Sequence, residues 1–402
     1  MTSPTATSLR PSLSRDQYHN KVLGLLIGSA IGDAMGAPTE MWSRSDIQLD
    51  YGFVDDLEPM VRAVSAEGIW KTNLPAGGTT DDTRWKALTI EFLLAQDLRQ
   101  ATPQVMARHI MARYQAHIDT LKATEGFDPK PYENNLMKMA WLQEWALVAK
   151  PYAENNLPGY ADALSKFYGG EMTCAGMLYS PIWGAVHPGR PTAAYAMGYE
   201  HAIYDIGYAR DMTSLVAAMT AAAFDAEATP TSVINVNRTV DPQSHFESRL
   251  VGRSSYRFYQ HARKIVAEAR ALTIEPMQAI PEVPAPFQHL EPLAYLQLKR
   301  AFDKLDEANE SIAFHPGEIY LITLTAMLFH EFEFEETMAF ITNYGRDNDT
   351  IAAIAGAILG AYWGADKLPA EMTQKILDVN RAQLDLDLVL LADALTEWRY
   401  TQ

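Results

Sequence analysis

Apolar residues recur along most of the chain at intervals of three and four positions, which is the spacing of one face of an α-helix. Runs that alternate apolar and polar residues, as half-buried strands do, are nearly absent. The pattern therefore predicts an all-α protein. The predicted helices span residues 18–34, 83–98, 103–120, 134–147, 192–204, 212–224, 255–271, 318–331, 335–344, 350–364 and 369–395.

The first predicted helix carries a stripe of small residues. Gly24, Gly28 and Gly32 lie four positions apart and so share one face of the helix. A face without side chains lets another backbone approach closely. We therefore expect another helix to pack tightly against this stripe.

Composition indicates a globular protein that is long enough for one large domain or two ordinary ones. Of the 402 residues, 48% are hydrophobic and 21% are charged, which is enough apolar material for a sizeable buried core. Residues 1–16 carry Ser, Thr and Pro without an apolar run, which predicts a disordered N-terminus ahead of a domain over residues 17–400. Polar residues and prolines accumulate between residues 228 and 285, and we interpret this segment as an insert in the same domain.

The charge and the cysteine content exclude several classes of protein. The formal net charge is −17 and no run of Lys or Arg stands out, so a surface that follows nucleic-acid phosphates is not expected. Cys174 is the single cysteine, which excludes an intrachain disulfide and a cysteine-rich zinc site. The apolar stretch 351–365 is shorter than the ~20 residues of a membrane span. We expect a cytoplasmic protein without nucleic-acid or membrane partners.

Two acidic clusters each come directly before an apolar helical pattern. They are Thr80-Asp81-Asp82-Thr83 and Asp347-Asn348-Asp349-Thr350. One Asp or Thr in such a place is an ordinary helix cap. Two Asp in each cluster exceed what a cap requires, and four Asp brought together would repel one another without a cation between them. Since carboxylate and hydroxyl oxygens suit Mg²⁺, Ca²⁺ or Mn²⁺, the two clusters predict a metal centre, and a binuclear one.

The second cluster has an alternative interpretation, because Asp-x-Asp also opens the calcium loop of helix–loop–helix proteins. That loop needs Gly at its sixth position and Glu at its twelfth. Counted from Asp347, these positions hold Ala352 and Ile358. The calcium loop is therefore excluded.

Glu40 follows the end of the first predicted helix. Gly36 is suited to cap that helix, and Pro38 disfavours helix for the residue before it, so Glu40 should lie on a mobile loop. Taken alone, Glu40 is either a surface glutamate or an acid that reaches the metal centre.

Together these motifs resemble the ADP-ribosylglycohydrolase family, which includes the dinitrogenase-reductase-activating glycohydrolase and the vertebrate ADP-ribosyl-acceptor hydrolases. The resemblance rests on the stretch from Gly28 to Glu40, on the two acidic clusters, and on the helix rich in Ala and Gly that follows the second cluster. It implies an all-α, compact orthogonal helix bundle with a central two-metal cleft. The metal implied is usually Mg²⁺ and sometimes Mn²⁺.

The resemblance also implies roles for individual residues. The metal-binding residues would be Thr80, Asp81, Asp82, Asp347, Asp349 and Thr350. The catalytic residues would be Glu40 on a flap over the metals, Asp33 as an orienting acid, and Asp82 as a second candidate proton acceptor. The family's substrate loop corresponds to residues 169–177, where Gly176 and Met177 would bind substrate. His187 corresponds to a histidine after that loop, although a lone histidine is also consistent with a structural role.

The sequence departs from the family pattern near the substrate. Arg346 stands where the family commonly has Gly, and its guanidinium is suited to bind a phosphate or carboxylate of the substrate. The loop lacks the usual Asn-Gly-Ser and Met-Arg residues. We expect a metal-dependent hydrolase of an ADP-ribosyl or simpler ribosyl glycosidic bond, on a protein or a small molecule. The alternatives are a catalytically silent binding or structural protein and a metal-dependent phosphohydrolase.

Overall fold

The computed structural model describes residues 13–60, 74–123, 141–274 and 282–402. Within those ranges seventeen α-helices form and no β-strand does, which confirms the all-α prediction. The first nine are α1 (Arg15–Gly36), α2 (Arg44–Asp50), α3 (Asp81–Leu94), α4 (Pro103–Lys122), α5 (Gln143–Ala153), α6 (Leu157–Leu164), α7 (Ser180–Ala185), α8 (Pro191–His201) and α9 (Ala209–Ala223). The others are α10 (Pro230–Thr239), α11 (Ser254–Arg270), α12 (Pro292–Asp306), α13 (Pro316–Phe329), α14 (Phe334–Tyr344), α15 (Asn348–Trp363), α16 (Ala370–Gln383) and α17 (Leu388–Thr401).

Most predicted helices are present, with boundaries that differ by a few residues. The prediction of one helix over 369–395 is wrong, because α16 ends at Gln383 and α17 begins at Leu388. Between them Asp385 has a left-handed backbone with φ of 59°, and Asp387 caps α17 by accepting from two N–H groups of its first turn. Residues 1–12 of the predicted disordered N-terminus and residues 134–140 of a predicted helix lie outside the described residues.

The segment interpreted as an insert packs into the protein. Its described part contributes α10 and α11, and both helices bury apolar residues such as Val233 and Ile265. Arg253, just before α11, is buried and donates to both carboxylate oxygens of Asp211 on α9, at 2.9 and 2.7 Å. A buried ion pair therefore ties this segment to α9.

Helices α1 and α15 pack antiparallel along their glycines. A Cβ atom on Gly28 would lie 2.4 Å from the carbonyl oxygen of Gly356, and one on Gly360 would lie 2.0 Å from that of Gly24. These distances leave no room for a side chain, so the predicted close approach of another helix to the stripe is confirmed. The seam continues to the end of α1 at Gly36, where an added Cβ would lie 2.3 Å from Cα of Asp349. This packing fixes the start of α15 beside the end of α1.

Among the described residues, one helical segment, which contains α1, has the length and hydropathy of a membrane span. Residues Arg15–Thr39 are long and apolar enough by composition to cross a membrane, and 94% of their most apolar window is buried inside the protein. Such burial is what the central helix of a globular helical protein shows.

Replacement of Gly28 by alanine is expected to destabilise the fold. The added methyl group would force α1 away from α15, and overpacking of this kind costs about 1–3 kcal/mol in the free energy of unfolding. Urea denaturation followed by circular dichroism measures the change. The matched control is Gly52→Asn, because Gly52 faces open space and its left-handed backbone suits asparagine. Wild-type stability of Gly28→Ala would contradict the direct backbone contact.

Candidate metal centre

Asp33, near the end of α1, holds the first acidic cluster in place. Its carboxylate accepts from the backbone N–H of Thr80 at 3.0 Å and of Thr83 at 3.0 Å, and from their hydroxyl groups at 2.9 and 2.5 Å. Asp33 thus caps the start of α3 from a different helix. Since both of its oxygens are engaged, the geometry supports a positioning role for Asp33 and gives no support to its use as a proton acceptor.

The second acidic cluster is held by the turn that precedes α15. Gly345 and Arg346 both have left-handed backbones, with φ of 89° and 67°. The Arg346 carbonyl accepts from the N–H of Met41 at 2.7 Å, and the Arg346 N–H donates to the carbonyl of Trp42 at 3.1 Å. These two hydrogen bonds join Met41 and Trp42, which follow Glu40, to the residue that precedes the second cluster.

The two clusters meet at one place. The Thr350 hydroxyl donates to Asp82 Oδ2 at 3.0 Å, and Thr80 Oγ1 lies 3.5 Å from Asp349 Oδ2. Carboxylate oxygens of Glu40, Asp347 and Asp349 all lie within 4.8 Å of one another, which is close enough for one ion to contact all three. Helices that are far apart in sequence therefore supply a single oxygen-rich site.

The residues present fit a hard cation. Burial raises the pKa of Asp82 and of Asp349 well above the usual range, and repulsion from neighbouring acids, among them Asp347, raises both further. Burial also raises the pKa of Asp347 to about 6. Asp82 Oδ1 and Asp349 Oδ1 are buried and accept no hydrogen bond from any described residue. Crowded carboxylates with vacant oxygens are stabilised by a divalent cation, and an all-oxygen donor set suits Mg²⁺ or Mn²⁺.

Glu40 is not a surface residue. It follows a short 3₁₀ turn over Ala37–Thr39 and is only 6% exposed. The expectation of a mobile loop came from Gly36 and Pro38, but α1 runs through Gly36 and the turn continues it directly. The result places the Glu40 carboxylate beside those of the second cluster.

A cleft opens over the acids. Its volume is about 440 Å³, a figure that includes space open to solvent. The residues that line it include Glu40, Asp81, Asp82, Asp347, Asp349, Thr350, Trp145, Tyr168, Thr173, Cys174, Ala175 and Phe314. Asp81, predicted as a metal ligand, therefore faces the same cleft as the other acids.

The predicted substrate loop reaches the cleft through residues other than those predicted. Thr173, Cys174 and Ala175 line it, whereas Gly176 and Met177 do not. The Gly176 N–H donates to the buried Asp205 at 2.8 Å, and Met177 is fully buried in the core. The geometry gives no support to direct substrate contact by Gly176 or Met177.

His187 and Arg346 also lie apart from the lining of the cleft. His187 follows α7, and burial lowers the pKa of its imidazole to about 4. The Arg346 guanidinium donates to the carboxylate of the buried Glu318 at 2.6 and 2.8 Å and to the carbonyl of Glu310 at 2.9 Å. Arg346 is therefore engaged by a carboxylate of its own chain, so its assignment to a substrate phosphate is not supported.

Lys86 and Asp205 are buried charged residues that sequence reasoning missed. The Lys86 ammonium group lies inside the fold and donates to the backbone carbonyl of Asp82 at 2.9 Å. Its position four residues after Asp82 was a signal for this contact, because residues four apart share a helix face. No comparable signal exists for Asp205, which lies far from the acidic clusters in sequence.

These features define an all-α protein whose centre is an acidic cleft between two helix starts. A family model described as ADP-ribosylglycohydrolase matches residues 14–402, and the chain belongs to that family. This membership confirms the resemblance seen in the motifs.

Two relatives extend the comparison. A solved structure described as an ADP-ribosylglycohydrolase-related protein complex aligns over 96% of this chain and 99% of its own, with a TM-score of 0.56 and 16% sequence identity, which shows a shared fold. The uncharacterized protein YegU of Escherichia coli (strain K12) is 31% identical over 91 residues. That match spans 23% of this chain and about a quarter of the length of YegU.

Proposed function

We propose that this protein is a metal-dependent hydrolase that cleaves an ADP-ribosyl or related ribosyl glycosidic bond, on a protein or a small molecule. The observation that carries the proposal is the meeting of the two acidic clusters around buried, vacant carboxylate oxygens. The cofactor proposed is a pair of Mg²⁺ ions, with Mn²⁺ as a substitute. The cytoplasmic location expected from the sequence remains part of the proposal.

The geometry supports the following assignment of metal ligands. Asp347 and Asp349 would hold one ion, with Glu40 close enough to join them. Asp82, linked to Thr350, would bring the first cluster to the same site. Thr80 and Asp81 complete the oxygen donors at the start of α3.

Cleavage of a glycosidic bond passes through an oxocarbenium-like state, so the sugar must be held and a water must lose a proton. Bound divalent ions supply positive charge that fixes sugar hydroxyls and makes water more acidic. Glu40, whose carboxylate lies among the acids of the second cluster, would accept the proton of the water. Asp33 keeps the start of α3 in register, so that Asp82 stays aimed at the site.

Removal of divalent metal is expected to abolish turnover. The purified protein would be treated exhaustively with EDTA and assayed with ADP-ribosylated peptides and simpler ribosides, with products identified by mass spectrometry. We expect release of ADP-ribose or ribose, loss of that release after chelation, and its return with Mg²⁺ or Mn²⁺. Full turnover after chelation would contradict the proposal, and release of AMP that leaves phosphoribose on the peptide would favour a phosphohydrolase.

A further inference from the structure

Aromatic rings form much of the cleft beside the acids. Trp145, Tyr168 and Phe314 line it, and the rings of Tyr168 and Phe314 meet at 5.7 Å between centroids. Tyr168 has a left-handed backbone with φ of 44°, which is unusual for a bulky residue, and Gly169 and Gly170 after it are left-handed too. Strain of this kind is retained where it places a side chain for a function. The strained turn presents the Tyr168 ring to the cleft.

Three backbone N–H groups of the loop over residues 173–178 donate within the chain. The N–H of Cys174 donates to the carbonyl of Phe314 at 3.1 Å, and that of Met177 donates to the carbonyl of Cys174 at 2.8 Å. The N–H of Gly176 is taken by Asp205. Phosphate cradles depend on backbone N–H groups that point at the ligand. The N–H groups of Cys174, Gly176 and Met177 are therefore not available to a phosphate.

Cationic side chains do not replace these three donors. None of the described residues that line the cleft is Lys or Arg. The nearby guanidinium of Arg346 is bound by Glu318. Asp205 adds a negative charge beneath the loop. A Cβ atom on Gly176 would lie 2.3 Å from Asp205 Oδ2, so the absence of a side chain at Gly176 makes room for this carboxylate. A diphosphate is normally held by cationic side chains, and apart from the proposed metal ions the described lining of this cleft offers no cation for one.

We propose that the cleft binds a riboside whose leaving group is a neutral planar ring, without a diphosphate. The inference rests on the proposed function and narrows its substrate class. The ring stacks against Tyr168 and Phe314 while the ribose lies over the acids. In the reaction, the water oxygen bonds to the anomeric carbon and the bond from that carbon to the ring nitrogen breaks. The ring nitrogen takes up a proton, so ribose and the free base are released.

Titration calorimetry of the full chain at a fixed free Mg²⁺ concentration tests this directly. Adenosine and ADP share a base and a ribose and differ by the diphosphate, and ADP-ribose adds the family's expected ligand. We expect adenosine to bind at least about tenfold more tightly than ADP or ADP-ribose. Equal or tighter binding of either diphosphate, or no binding of adenosine, would overturn the proposal.

Substitution of Tyr168, whose aromatic ring lines the cleft, provides a second test. Tyr168→Ala should weaken adenosine binding about tenfold, the scale of losing one stacked ring, while Tyr168→Phe should keep it. Tyr199→Ala, a ring on α8 that does not line the cleft, is the control. Unchanged adenosine affinity in Tyr168→Ala would overturn the proposal.

The outcome separates this inference from the proposed function. Tight binding of adenosine without hydrolysis of any riboside would remove the hydrolase proposal and leave the ligand class standing. Preferential hydrolysis of ADP-ribosyl substrates would overturn the ligand class and leave the hydrolase standing.

Discussion

Asp349→Asn is expected to lose metal binding and turnover together. Asp349 has a carboxylate oxygen within 4.8 Å of those of Asp347 and Glu40, and its Oδ2 lies 3.5 Å from the Thr80 hydroxyl. Loss of an outer partner already lowers metal affinity by ~10–100-fold, so removal of a charged ligand should cost roughly 100-fold or more. Calorimetry with Mn²⁺ and single-turnover kinetics would measure both effects.

The unfolding temperature of Asp349→Asn, measured with and without Mn²⁺, provides a second and independent test. Burial and the nearby acids, Glu40 first among them, raise the pKa of Asp349 because its negative charge is disfavoured there. Asn removes that charge, so the metal-free variant should unfold at a temperature equal to or above that of the wild type, while Mn²⁺ should no longer raise it. Asp55→Asn, on an exposed residue, is the control. A variant that still gains full stability from Mn²⁺ would show that Asp349 is not a ligand.

Glu40→Gln is expected to lower turnover by ~10²–10⁴-fold, the usual effect of losing a positioned proton acceptor. The amide keeps the size of the side chain and cannot accept the proton. Metal affinity should fall far less than in Asp349→Asn, because the amide oxygen of Gln can still contact an ion and both Asp of the second cluster remain. Single-turnover kinetics beside Mn²⁺ calorimetry would separate the two effects.

The comparison with Asp349→Asn also decides the role of Glu40. An equal loss of metal affinity in both variants would make Glu40 a ligand, and the proton acceptor would then be sought at Asp82. Wild-type turnover in Glu40→Gln would remove it from the chemistry. Glu227→Gln, on an exposed glutamate, controls for the change of charge.

The fold was largely predictable because its main constraints are local. Helical spacing of apolar residues marked most helices, and the glycines of α1 predicted a close neighbour. The break after Gln383 was missed because it depends on the left-handed backbone of Asp385 and on the cap supplied by Asp387. Both are single-residue effects inside a pattern that otherwise continues as helix.

The metal centre was predictable because the same acidic motif occurs twice along the chain. The roles of single residues were not predictable, because they depend on partners that the sequence does not reveal. Paired Asp at two helix starts pointed to one centre, which the contact between Thr350 and Asp82 brings together. A single Arg gives no sign of its partner, so the pairing of Arg346 with Glu318 could not be foreseen. The burial of Glu40 likewise depends on how the turn after α1 packs against the second cluster.

Crystals of the protein grown with Mn²⁺ and measured at the manganese absorption edge would test the central claim most directly. We expect two anomalous peaks in the cleft, each within ~2.0–2.6 Å of oxygens from the residues at the starts of α3 and α15. A cleft without any anomalous peak under saturating Mn²⁺, with Asp82 and Asp349 still facing each other, would contradict the proposal that these acids form a metal centre.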